Sequence, residues 1–107
     1  MADIFMSYAR EDEVRIRQLT HVLEELGWTV FWDRRIPAGQ TWRSYLGQEL
    51  SHAGCVIVAW SRYSIASQWV VEEADEGRQR GVLVPVLLEA VEPPIGFRGI
   101  QAGDLTD

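Results

Sequence analysis

The chain has 107 residues, 47% apolar, 24% charged and 10% aromatic, a balance that fits one compact domain and excludes a disordered segment. A formal net charge of -6 leaves no basic surface for nucleic acid or an anionic membrane, and a single cysteine, Cys55, excludes a disulfide framework and a cysteine-rich zinc site. All ten basic residues are arginines, which removes lysine chemistry; no basic-then-apolar leader pattern or bilayer-length apolar run occurs, so a reducing, cytoplasmic setting is expected.

Residues 3–8 form a short apolar run without helical spacing and read as a buried strand. A helix is expected over 11–26, with acids in its first turn, an apolar face of Val14, Leu19, Val22, Leu23 and Leu26, and a stop at Gly27. Trp28 to Trp32 is β-branched and aromatic and predicts a second strand, followed by a long polar loop, 33–40. Thr41 can cap a second helix whose apolar face is Trp42, Tyr45, Leu46, Leu50 and Ala53. Cys55 to Trp60 reads as the third strand, 61–67 as a hydroxyl-rich turn, 68–80 as a third helix stopped by Gly81, and 82–88 as a fourth strand. Pro85 inside that strand points to an edge or a bulge, and Phe97 to Ile100 offers a short fifth strand.

Strands that are apolar on both sides and alternate with helices define an α/β chain with a parallel sheet covered on both faces. With strand order 2-1-3-4-5, the ligand crevice falls beyond the carboxyl ends of the strands. Ser7, Tyr8 and Arg10, then Trp60 and Ser61, would line it, with the start of the third helix facing it. The acids and lysine of a phosphoacceptor receiver site are missing, as are the G-x-G-x-x-G and G-x-x-x-x-G-K-[ST] phosphate loops. No metal-ligand cluster or nucleophile elbow appears, and His21 and His52 read as surface residues or as residues that only support others. Arg10, Arg34 and Arg35 are either solvated loop arginines or phosphate ligands.

The third helix is the most informative segment. At about 100° per residue and with Trp69 as origin, Glu73, Gly77, Val70 and Ala74 fall at about 40°, 80°, 100° and 140°, whereas Glu72, Asp75 and Glu76 gather between about 240° and 340°. One carboxylate, Glu73, is therefore aimed inward. It is either paired with Arg80 two turns on, hydrogen-bonded to a loop amide, or a desolvated functional acid in the crevice.

Taken together, Asp3-Ile4-Phe5-Met6-Ser7-Tyr8, the stretch from Gly27 to Asp33 leading to Pro37 and Gly39, the spacing Ser64, Ser67, Trp69, Glu73, and Leu83 to Val86 resemble a Toll/interleukin receptor (TIR) domain of the bacterial kind over nearly the whole chain. The resemblance implies a flavodoxin-like fold and, in many members, cleavage of NAD+ at the nicotinamide–ribose bond by a glutamate four residues after the helix tryptophan, here Glu73. It also implies that Ser7, Tyr8, Arg10, Asp33, Gly39 and Ser61 contact the substrate, with Trp69 walling the nicotinamide side. NAD+ is then the substrate, and neither a cofactor nor a metal is expected. Val70 stands where many bacterial members have a cysteine without an assigned catalytic role.

The resemblance further implies self-association through loop 33–40, so that assembly switches activity on. A TIR domain over 1–107 lacks the usual final helix, and it is expected to belong to a larger protein with a C-terminal sensor domain. The leading expectation is an NAD+ glycohydrolase that acts as effector of bacterial antiphage defence. The alternatives are a non-catalytic TIR–TIR adaptor, against which Glu73 and Trp69 argue, and a secreted mimic of host signalling.

Overall fold

The computed structural model describes residues 2–34 and 38–106; Arg35, Pro37 and the side chain of Trp42, which the sequence reading invoked, lie outside the described residues. In chain order the elements are β1 (Ile4–Ser7), α1 (Glu13–Glu25), β2 (Val30–Phe31), α2 (Trp42–His52), β3 (Cys55–Trp60), α3 (Gln68–Gln79), β4 (Leu83–Leu87) and β5 (Gly103–Asp104). The strands form one sheet in the order β2-β1-β3-β4-β5, with every neighbouring pair parallel. This is the expected flavodoxin-like topology. It leaves the carboxyl ends of all strands at one end of the sheet.

Strand alternation divides the core in two. Ile4 and Met6 of β1 and Ile57 and Ala59 of β3 face α1, which meets them through Ile16. Phe5, Val56, Val58 and Trp60 face the other way, under Leu46 of α2 and Val70 and Ala74 of α3. By the same period of two, Ser7 falls on the Phe5 face, the face that α3 covers. The expected cap forms, Thr41 Oγ1 accepting from the Ser44 amide at 3.2 Å, and Ser67 caps α3 in the same way, its Oγ accepting from the Val70 amide at 3.3 Å.

Two expectations are corrected. On α1, Val14 and Leu26 are 68% and 70% exposed, and the buried stripe is instead Asp12, Ile16 and Thr20, flanked by Leu19 and Leu23. Helical phase explains this: Leu19, Thr20 and Leu23 lie within about 60° of Ile16, whereas Val14 lies about 160° away. The fifth strand is Gly103–Asp104, not 97–100. Phe97 is buried by stacking edge-on against Trp60 with ring centroids 5.4 Å apart, so it plugs the core rather than extending the sheet.

Pro85 sits where the sheet tolerates it. Val82 O accepts from Val56, and the Leu88 amide donates to Trp60 O, so even-numbered residues of this stretch bond toward β3 and Pro85 faces outward. β5 pairs only with Val86 and Leu87, which leaves β4 an edge at the proline.

Gly77 fixes the height of α3 above the sheet. A Cβ there would lie 2.8 Å from Val56 Cβ, with both Val56 methyls at 3.2 Å. Gly77→Ala is expected to lower the denaturant midpoint, because overpacking costs on the order of 1–3 kcal/mol against the roughly 1 kcal/mol alanine gains over glycine within a helix. In a Val56→Ala background the loss should shrink, which chemical denaturation of the two single variants and the double variant checks.

Candidate active site

A cleft of about 700 Å³ opens beyond the carboxyl ends of β1 and β2, within the range of small-molecule sites. Tyr8 and Arg10 line it from the chain after β1, Asp33 and Arg34 from the chain after β2, and Ser67 and Trp69 from the start of α3. Tyr8 braces two of these segments, its hydroxyl donating to Trp32 O at 2.6 Å. Burial raises the Tyr8 pKa above that of an ordinary tyrosine, with the Arg34 charge opposing.

Glu73 is turned inward and is 5% exposed. Its carboxylate is held from two segments, the end of β1 and the chain after β2. Ser7 Oγ donates to Oε1 at 2.8 Å, and Arg34 donates through Nη1 to Oε2 at 3.1 Å and through Nη2 to Oε1 at 3.2 Å. The Arg34 guanidinium also donates to Met6 O at 2.7 Å and lies over the rings of Phe5, Tyr8 and Phe31, 4.9, 5.3 and 5.7 Å from their centroids. Burial pushes the Glu73 carboxyl above the ordinary glutamate range; the Arg34 charge and hydrogen bonds from Ser7, Arg34 and Trp69 limit the rise.

Arg80 does not pair with Glu73. It donates to Leu50 O and Ala53 O, tying α3 to the end of α2, so the cation for Glu73 comes from across the sheet. Ser61 is also corrected: it is 1% exposed and does not line the cleft. Its hydroxyl donates to Asp12 Oδ2 at 2.5 Å and accepts from the Tyr63 and Ser64 amides, while Ser64 Oγ accepts from the Ser61 amide at 2.7 Å. Ser61 thus organises the β3–α3 turn from beneath. Gly39 lies in a turn at φ +85° and is likewise absent from the cleft wall.

Sequence reasoning missed two residues here. Asp12 anchors the Ser61 turn and is legible only as a polar residue four positions before Ile16 on the buried stripe. Arg34 drew notice as a phosphate ligand but not as the partner of Glu73. His21 and His52 are exposed, and among the described residues no cluster of His, Cys, Asp or Glu could hold a metal ion.

An open parallel sheet in this strand order, flanked by helices, defines a flavodoxin-like α/β domain. Residues 4–107 match the family model of the TIR domain, and the chain belongs to that family. The TIR domain of the Toll-related receptor TRR-2 from Hydra magnipapillata superposes with a TM-score of 0.88 at 22% identity, covering 100% of this chain and 86% of that one. The TIR-STING receptor from C. gigas, solved in complex with 2',3'-cGAMP, gives a TM-score of 0.81 at 26% identity over 98% of this chain and 35% of its own length. The TIR domains of the activated Roq1 resistosome, which recognises the effector XopQ, give 0.69 at 24% identity over 81% of this chain and 57% of theirs. No curated protein matches the sequence. Among the described residues no helix is long and apolar enough to cross a membrane.

Two measurements check this geometry. In a carboxyl-carbon NMR titration Glu73 is expected to protonate above the ordinary glutamate range, and higher still in Arg34→Gln. Because the folded chain then binds this proton more firmly than the unfolded chain, the contribution of Glu73 to stability is present at low pH and fades as pH rises through the raised value. Ser61→Ala, which strands the buried Asp12 carboxylate, is expected to lose about 1–3 kcal/mol in chemical denaturation.

Proposed function

We propose that this TIR domain cleaves NAD+ at the nicotinamide–ribose bond, with Glu73 as the catalytic residue. The observation that supports this reading best is a carboxylate held in a desolvated position at the carboxyl end of the sheet, one helical turn from the half-exposed ring of Trp69. Nicotinamide in NAD+ is cationic. When the C1'–N bond breaks, the electron pair stays with the ring nitrogen and the base leaves neutral, so no general acid is needed.

What remains on the sugar is an oxocarbenium-like cation, as in glycoside hydrolysis. Glu73 would accept hydrogen bonds from the ribose hydroxyls and stabilise that cation through space, an effect strengthened by exclusion of water. Water attacking C1' and releasing its proton to solvent gives ADP-ribose; an adenine nitrogen attacking instead gives a cyclic isomer. Trp69 offers a π-face to the cationic ring. Tyr8, Arg10 and Asp33 line the path for the remainder of the dinucleotide, and NAD+ is substrate with no further cofactor.

In this reading self-association through loop 33–40 completes the site and switches it on. The protein serves as a cytoplasmic effector of bacterial antiphage defence, under a sensor domain C-terminal to the TIR unit. One observation favours the second reading, a non-catalytic TIR–TIR adaptor: in the isolated chain both carboxylate oxygens already accept from Arg34, and one also from Ser7.

The deciding experiment follows NAD+ consumption, with products identified by chromatography, at high protein concentration or with a crowding agent. Wild type is expected to consume NAD+, and Glu73→Gln to be slower by about 10²–10³-fold, the usual loss when one electrostatic contact to a transition state is removed. NAD+ surviving wild type under assembling conditions would favour the adaptor, and full activity in Glu73→Gln would overturn the site assignment.

A further inference from the structure

The cation that engages Glu73 lines the cleft of Tyr8, Arg10 and Trp69, whereas Glu73 lines a second cleft of about 400 Å³ with Trp69, Arg43 and Leu46. A dinucleotide entering the first cleft therefore meets the guanidinium before the carboxylate. Both Glu73 oxygens already accept from Arg34, and Oε1 also accepts from Ser7. Ribose hydroxyls must therefore compete with Arg34 for the carboxylate oxygens. Freeing either charge alone is unfavourable, because each would be left buried without a partner.

NAD+ carries the complementary pair of charges. Its diphosphate presents oxygens to which a guanidinium binds side-on with the same two-pronged geometry it uses for a carboxylate, and its nicotinamide riboside end is cationic. The bond to Met6 O and the rings of Phe5, Tyr8 and Phe31 hold the Arg34 guanidinium at the cleft wall independently of Glu73.

Resting on the glycohydrolase reading, we propose that Arg34 is the seat of the substrate diphosphate and is reached by exchange. Diphosphate oxygens take the two N–H bonds now made to Glu73, and the released carboxylate turns to the ribose. The number of ion pairs is conserved while their partners change. The site therefore favours a ligand bearing both charges: a diphosphate without the nicotinamide occupies the seat more weakly than the dinucleotide and undergoes no chemistry, and nicotinamide riboside, which lacks the diphosphate, does not release Glu73.

The test uses ADP-ribose as probe on the 107-residue chain. Calorimetric binding is measured for wild type, Arg34→Gln, Arg34→Lys and Arg10→Gln, each checked for folding by its thermal transition. Arg34→Gln is expected to weaken binding by about tenfold or more, the loss of a charge-assisted contact, with Arg34→Lys intermediate because it keeps the charge without the fork. In wild type, saturating ADP-ribose is expected to move the NMR titration of Glu73 to higher pH, since the carboxylate loses its cation; a merely structural role for Arg34 would leave it in place.

Should Arg34→Gln not fold, that wild-type titration and Arg34→Lys decide the matter. Absence of ADP-ribose binding, an unmoved Glu73 titration on binding, or a loss confined to Arg10→Gln overturns the proposal. A chain that binds ADP-ribose through Arg34 yet leaves NAD+ intact overturns the glycohydrolase reading alone. Undiminished NAD+ cleavage with unchanged KM in Arg34→Gln overturns the exchange alone.

Discussion

The cleft end of this domain depends on one buried ion pair. Arg34 comes from the segment after β2, Glu73 from α3, and Ser7 and the Met6 carbonyl from the end of β1, so a single set of hydrogen bonds joins three elements that are distant in sequence. Several local features must agree for it to form. Strand alternation puts Ser7 on the face toward α3, helix phase turns Glu73 the same way, and Gly77, one turn later, lets α3 approach β3 closely enough for the contact. A Cβ at that glycine would lift the carboxylate with the helix.

Such a pair contributes more to geometry than to stability. Removing each ion from water costs several kcal/mol, which mutual attraction and hydrogen bonding offset only when the arrangement is good, and apolar replacements of equal volume are often no less stable. Here the arrangement is two-pronged and braced by three rings, and the guanidinium opposes the protonation that burial favours at Glu73. The apolar core of Phe5, Val58, Trp60 and Val70 supplies the burial, and the ion pair determines what that burial surrounds.

Much of the architecture was legible because it rests on local periodicity. β3 has the bounds its apolar run predicts, the cap at Thr41 follows from its hydroxyl, and the angular position of Glu73 on α3 requires only the helical repeat. What failed required knowledge of neighbours. Arg80 lies two turns from Glu73 on the same helix, but its guanidinium reaches the last carbonyls of α2; pairing across the sheet carries no signature along the chain. The α1 face was misjudged because its centre is Ile16 with a polar threonine, Thr20, beside it, while the more conspicuous Val14 points to solvent. Ser61 sits at the end of β3 as the topology requires, yet three hydrogen bonds to its own turn and one to Asp12 direct it away from the crevice. Phe97 carries strand-like hydrophobicity that is satisfied by Trp60 instead of by a backbone partner.

The edge of the sheet bears on how copies of this chain can meet. Beyond the two residues that β5 covers, the outward row of β4 consists of Leu83 and Pro85, and the proline has no amide hydrogen to donate. An incoming strand would find one N–H where a template needs a regular series, and the pyrrolidine ring would stand in its way. Pro85 is also buried, so the sheet is closed to growth at that point of β4 both by the missing amide and by the chain packed over it. On that side of the sheet, contact between copies would fall to helices and loops rather than to strand pairing.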